Sequence, residues 1–261
     1  MHRRGGDGVN KQQQRNKITP LSRNRPFSAE KGTNMNIEID KVYNMDCLDL
    51  MREMAKDGQQ ANLLLTDIPY NAVNRQDNGL RSLDKQNADI LTFDLQQYLQ
   101  CVDKVIKDNF VIFCGNGQIS EIFNFFANKS YTTRLLVWEK SNPSPMNGEY
   151  CYLSGIETAV YAKKKGGTFN AFCKNTVFKH NSGTREIHPT QKPLSLWYEL
   201  LGDLTNENDL VLDTCMGSFT TAVACHKMQR HFIGAELDKE YFALGQKRLQ
   251  EVQNQISIFD L

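Results

Sequence analysis

The sequence predicts an α/β protein built on a doubly wound, mostly parallel sheet. Strand-length apolar runs alternate with stretches of helical period from residue 37 to residue 253. Two of those runs end in an acid at a turn, Leu63-Leu64-Leu65-Thr66-Asp67 and Leu210-Val211-Leu212-Asp213. The second continues through a glycine turn at Gly217 into a helix and a further strand ending at Glu236. Strand, crossover helix and strand make the unit from which parallel sheets are wound.

The elements follow in order. Residues 37–43 alternate like a strand, and 47–54 read as a short helix. The 61–66 strand leads into the Asp67 turn. Residues 71–92 are polar, rich in Asn, Gln and Asp, and read as a long mobile loop of the kind found beside functional sites. Helix 94–107, strand 109–114, helix 120–128 and strand 133–138 come next. A Pro-rich loop at 142–148 precedes strand 158–162. Residues 163–187 are polar and irregular, with a run of lysines. Pro193 opens helix 194–204. Strand 209–213, helix 220–227, strand 231–236 and helix 239–253 close the pattern.

Composition sets the outer bounds. The chain has 261 residues, 40% hydrophobic and 23% charged, as expected for one sizeable globular core. No apolar run approaches the roughly 20 residues that span a bilayer, and no secretory h-region is visible. The seven cysteines form no C-x-x-C pair, which disfavours a disulfide framework or a zinc site and fits reduced thiols in a cytoplasmic protein. Residues 1–34 hold eight basic and two acidic residues, a charge of +6; the whole-chain +1 therefore leaves −5 for the remainder. That basic segment reads as disordered. It is either an arm for nucleic acid, a transit peptide, or sequence upstream of a start at Met35, with the last slightly favoured. The folded part is not globally basic, so any nucleic-acid contact there needs a local patch.

Two constellations carry chemistry. Asp67-Ile68-Pro69-Tyr70 lies at the carboxyl end of a strand, where open α/β sheets hold ligands. Asp67 can accept a hydrogen bond from an amine. Pro69 biases Ile68 towards an extended conformation that presents its carbonyl. Tyr70 offers a ring for stacking on a planar base. An ordinary Pro-containing turn is the alternative. The second constellation runs from Asp213 through Gly217, Ser218 and Thr220 to Glu236. It reads as a nucleoside-binding unit, because an acid about 20 residues beyond the glycine turn is placed to grip ribose hydroxyls. The turn carries Phe219 instead of a second glycine, which disfavours a dinucleotide and hence a dehydrogenase. A plain βαβ unit is the alternative.

Together these segments resemble a known family. Asp213-x-x-x-Gly217-Ser218-x-Thr220-Thr221 is similar to the S-adenosylmethionine motif of the amino-group DNA methyltransferases, and Asp67-Ile68-Pro69-Tyr70 to their catalytic D-P-P-Y. His188-Pro189-Thr190-Gln191-Lys192-Pro193 resembles their H-P-T-x-K-P segment, and Asn44-Met45-Asp46-Cys47-Leu48 their N-x-D-C-L segment. Catalytic motif first and cofactor motif last is the permuted order of the β class. The resemblance spans Met35 to about Gln253. It implies a Rossmann-like methyltransferase fold, with the enzyme domain over residues 35–254 and a tail over 255–261.

The resemblance also implies roles. Asp67, Ile68, Pro69 and Tyr70 would be catalytic. Asp46, Asp213, Gly217, Ser218, Thr220 and Glu236 would serve the cofactor S-adenosylmethionine, with His188 and Lys192 beside its methionine part. Lys192 is otherwise a solvated helix-start residue and His188 a cap. The target would be double-stranded DNA, and the implied reaction is methylation of a flipped-out adenine at N6. N4-cytosine methylation and a catalytically impaired DNA-binding relative are the alternatives. An initial Asp is commoner with adenine in this family. Target recognition would come from about residues 163–187, with Lys163, Lys164, Lys165, Lys174, Lys179 and Arg185 on phosphates. So short a segment suggests a short target, help from loop 71–92, or a homodimer. Two positions depart from the family: Ile68 stands for the first proline, where the backbone carbonyl is what matters, and Phe219 for a common glycine, which predicts a tighter or offset cofactor turn. Gln255-Ile256-Ser257-Ile258-Phe259 resembles the peptide that docks bacterial proteins on the sliding clamp; packing of Ile258 and Phe259 on the chain's own core is the alternative. A bacterial or phage-encoded cytoplasmic enzyme with no metal is the expected setting.

Overall fold

The apolar runs assemble into one eight-stranded sheet in the computed structural model of the chain. It describes residues 35–70, 91–143, 148–149, 152–182 and 191–259, with side chains through Gln255. All of them belong to one compact unit that begins at Met35.

In chain order the elements are β1 (Lys41–Tyr43), α1 (Cys47–Lys56), β2 (Ala61–Asp67), α2 (Leu95–Val105), β3 (Ile106–Cys114), α3 (Ile119–Ala127) and β4 (Thr132–Lys140). There follow β5 (Ile156–Lys163), β6 (Val177–His180), α4 (Leu194–Leu204), β7 (Leu210–Asp213), α5 (Thr220–Lys227), β8 (His231–Ala235) and α6 (Lys239–Phe259). The strand order is β1-β8-β7-β2-β3-β5-β4-β6. Only β5 runs antiparallel to its neighbours, β3 and β4.

The sheet is doubly wound. From β2 the chain proceeds outward through β3; from β7 it proceeds the other way through β8. β2 and β7 are paired directly, Leu64 opposite Leu212. The winding therefore reverses between them, and a crevice opens at their carboxyl ends. Each face carries its own core. Leu50, Met54, Leu99, Val102 and Ile122 of α1, α2 and α3 pack on one side, and Trp197, Leu201, Ala222 and Cys225 of α4 and α5 on the other. Strands buried on both faces explain why the central runs are continuously apolar instead of alternating.

The structure departs from the sequence reading in three places. β1 is shorter than 37–43, because Asp40 takes a left-handed φ of 59° and its carboxylate accepts from His231 Nδ1 at 2.7 Å, turning the chain just before the strand. Within the segment read as irregular, Val177–His180 forms edge strand β6, pairing with β4 from Val137 to Lys140. α6 continues to Phe259, as neither Gly nor Pro follows Gly245 to stop it. The expected tail is thus helical through Phe259; side chains from Ile256 onward lie outside the described residues, as does loop 71–90. Among the described residues no helix is long and apolar enough to cross a membrane.

Candidate active site

A cavity of about 430 Å³ fills the crevice. Asp67, Ile68, Pro69, Tyr70 and Lys192 line one end, and Asp46, Gly217, Ser218, Glu236 and Asp238 the other.

The Asp67 end is locked into the sheet. The Ile68 N–H donates to the Phe113 carbonyl at 3.1 Å, extending the β2–β3 ladder past the last assigned residue. The Ile68 side chain is buried in the core against the α1–α3 layer. Ile68 thus packs into the core while also lining one end of the cavity. Gln118 fixes the next turn: its Nε2 donates to the Pro69 carbonyl at 2.9 Å, and its Oε1 accepts from the Gly115 N–H at 2.8 Å. Tyr70 passes so close to Gly115 that a Cβ there would lie 3.0 Å from the Tyr70 Cβ. A side chain at 115 would have to push Tyr70 back by a few tenths of an ångström, so glycine favours this approach.

The polar groups at this end form a connected network. The Tyr70 hydroxyl donates to Asp67 Oδ1 at 2.6 Å. The Lys192 ammonium donates to Asp67 Oδ2 and also pairs with Glu157 Oε2 at 2.9 Å. The Lys140 ammonium holds Glu157 Oε1 at 2.7 Å. Lys192 is only 5% exposed, so it is not a solvated helix-start residue. Burial works against its charge, but Asp67 and Glu157 outweigh that and hold its pKa above the ordinary lysine value. Burial works likewise to raise the Glu157 carboxyl, yet Lys192 and Lys140 hold it below the usual range. The Asp67 carboxyl is pushed up: burial raises it, Lys192 offsets part of that, and Glu157 adds to it. Sequence reasoning missed Glu157 and Lys140, since they reach the site through the reversed strand β5 and its neighbour β4.

The other end is held by acids that cap backbone. Asp213 is 3% exposed and accepts from Thr66 Oγ1 at 2.8 Å, from Thr221 Oγ1 at 2.5 Å and from the Cys215 N–H at 3.0 Å. Burial pushes its carboxyl up to about 6 despite those donors. Asp213 thus shapes the turn and ties the end of β7 to that of β2. Glu236 accepts from the Gly217 N–H at 2.7 Å and the Asp238 N–H at 2.9 Å. Asp46 caps α1 by accepting from the Leu48 N–H at 2.8 Å and faces the cavity. The Ser218 and Thr220 hydroxyls lie 3.1 Å apart, and Arg248 of α6 donates to the Ser218 carbonyl at 2.7 Å.

Phe219 takes the left-handed conformation that a glycine would adopt there, with φ 60° and ψ 30°. Its ring turns away from the cavity and is fully buried. It lies on Gly245 of α6, where a Cβ would be 2.2 Å from the ring, and edge-on to Phe242 at 5.9 Å. The departure from the family spelling is therefore absorbed by a glycine one helix away.

The lysines divide by position. Lys163, Lys164 and Lys165 sit at the end of β5, the edge of the sheet opposite Asp67. Lys164 donates to the Asp103 and Ile106 carbonyls at 2.9 and 2.6 Å, closing the end of α2. Lys174 pairs with Glu199 and Asp203 at 2.7 and 2.5 Å. Lys179, near the end of β6, is on the Asp67 side and exposed, with Glu139 at 3.2 Å. His188 and Arg185 lie outside the described residues.

Comparison with known proteins places this chain in a family. The N6/N4 DNA methylase family matches residues 157–247. The solved structure of M1.HpyAVI in complex with S-adenosylmethionine is similar at a TM-score of 0.64 and 30% identity, covering 80% of this chain and 99% of that one. The chain belongs to the N6/N4 family of DNA methylases. Among curated members of the methylases, the type II methyltransferase M2.MboI of Moraxella bovis is 24% identical over 264 residues, 87% of this chain and 92% of that protein. M2.DpnII of Streptococcus pneumoniae is 25% identical over 224 residues, 74% of this chain and 83% of that one. The cytosine-N4-specific PvuII methyltransferase shares the fold at a TM-score of 0.61 and 16% identity, covering 83% of this chain and 92% of its own.

Proposed function

We propose that this DNA methylase transfers a methyl group from S-adenosylmethionine to the exocyclic N6 of an adenine turned out of double-stranded DNA. The crevice suits the donor: its volume is in the range of small-molecule sites, with carboxylates at one end and an apolar wall from Met45, Phe93, Met216 and Tyr241. Glu236 and Asp46 would hold it through hydroxyl and amine groups, and the Gly217–Thr220 turn through close backbone approach. When bound, the cofactor supplies an electrophilic methyl on a sulfonium.

The chain's own residues supply alignment. An exocyclic amine is a poor nucleophile because its lone pair is delocalised into the ring. Asp67 and the Ile68 carbonyl would each accept one of its hydrogens, favouring the pyramidal geometry that frees the lone pair. Asp67 is also the nearest base for the proton the amine gives up. Tyr70, its hydroxyl anchored on Asp67, would present its ring to the flipped base. Lys179 and Arg185 are the proposed phosphate contacts; Lys163, Lys164 and Lys165 lie at the other end of the strands from Asp67, so they are not given that role in this reading.

The observation that carries the choice of adenine is the carboxylate at position 67, the acceptor that this family more often pairs with N6. Transfer of labelled methyl to mixed-sequence DNA, digestion to nucleosides and separation tests it. Label in N6-methyldeoxyadenosine is the expected result. Label in N4-methyldeoxycytidine would reassign the base and leave the family standing.

A further inference from the structure

We propose that Glu157 is a positioning residue of the methyl transfer, fixing the Lys192 ammonium between two carboxylates so that Asp67 and Tyr70 are held in place while Asp67 keeps capacity to accept the amine. The inference rests on Asp67 as the amine's acceptor. Glu157 is the second residue of β5 and meets the site only because that strand is reversed. There it closes a chain of alternating charges, Lys140, Glu157, Lys192 and Asp67, whose links are the ion pairs described above.

Lys192 has little freedom. Its ammonium lies between the rings of Tyr70 and Phe113, 5.5 and 5.4 Å from their centroids, and 3.3 Å from the Tyr70 hydroxyl. A buried ammonium needs a counter-charge. With Asp67 as its only one, it would draw most heavily on the oxygens that the amine must use. Glu157 shares that demand. Its own second oxygen is held by Lys140, so it cannot swing away.

The same geometry sets the sign of a pH effect. Tyr70, Lys192 and Glu157 face Asp67 directly. Lys140 acts through Glu157, and Cys114 of β3 and Asp213 of β7 act at longer range. The negative charge of Glu157 keeps the Asp67 carboxyl higher than it would otherwise be. Removing that charge lowers it, so Asp67 stays ionised to a lower pH, and the acid limb of the rate moves down.

Single-turnover transfer to DNA across the acid limb tests this with wild type, Glu157→Gln and Glu157→Asp. Cofactor affinity is followed through fluorescence of Trp197, which lines the cavity, and melting is recorded for each variant. For Glu157→Gln we expect the rate near neutral pH to fall on the order of 10- to 100-fold, with cofactor affinity within about twofold and the acid limb displaced to lower pH. Glu157→Asp should recover part of the rate and the wild-type limb. If Glu157→Gln does not fold, the Asp variant decides, and a displaced limb there overturns the proposal. A Gln variant with wild-type rate and limb, or one whose loss matches lost cofactor binding with the limb unmoved, also overturns it. A wild-type protein without transfer would instead sink the reading of Asp67 on which the proposal rests.

Discussion

Replacing Asp67 by Ala is expected to lower methyl transfer by on the order of 10³-fold or more, while the cofactor still binds. The carboxylate is the one side-chain acceptor at the end of β2 that faces the cavity beside Tyr70. Without it the amine loses one of its two acceptors, and the Tyr70 hydroxyl loses the anchor that orients its ring. The fold should survive. Lys192 keeps Glu157 as its counter-charge at 2.9 Å, and the other end of the cavity is built from Asp213 at the end of β7, Glu236 just after β8 and Asp46 at the start of α1. Quenching of Trp197 fluorescence by S-adenosylmethionine should therefore match wild type, with transfer measured on the same samples. Asp67→Asn separates charge from geometry, because an amide keeps one acceptor oxygen; its rate should fall between the two. Near-wild-type transfer by Asp67→Ala would remove Asp67 from the chemistry.

The second large effect concerns stability. Phe219 and Gly245 are expected to behave as a coupled pair, each tolerable only with the other. Gly245→Leu in the wild-type background drives a side chain into the Phe219 ring, where even a Cβ would be 2.2 Å away. Overpacking of that kind costs about 1–3 kcal/mol. Phe219→Gly relieves the left-handed backbone, worth about 1 kcal/mol, but empties a fully buried site at a cost of about 3–5 kcal/mol. In the double variant leucine fills the space the ring leaves, so the losses should partly cancel. Denaturant unfolding of the four proteins measures this, with a coupling energy of about 1 kcal/mol or more expected. Strict additivity would mean that the ring and the glycine do not depend on each other.

Much of the site is legible because its parts are local. Asp67 and Asp213 announce themselves as acids closing apolar strands, and Gly217 and Glu236 bracket one βαβ unit. Backbone rules suffice for these, since neighbouring residues fix each turn. What is not legible depends on strand direction. Glu157 opens a strand whose sequence does not state which way it runs, and reversal alone brings that carboxylate to Lys192. Lys192 stands out in the sequence as a motif residue, yet its counter-charges do not. The lysine run at 163–165 depends on strand direction in the same way: its residue types suit phosphate, while reversal of β5 puts it at the other end of the strands from Asp67, and Lys164 spends donors on the end of α2. Phe219 is an informative departure. Its spelling suggests a tighter or offset cofactor turn, and the space for its ring is made at Gly245, which no local rule connects to it.

The most direct measurement is modified-base sequencing of DNA from cells that express this protein, with Asp67→Ala cells alongside. The account requires N6-methyladenine in a defined sequence context with the wild-type protein, and its disappearance with the variant. Methylated cytosine in place of adenine, or adenine methylation that persists in the Asp67→Ala cells, would contradict it.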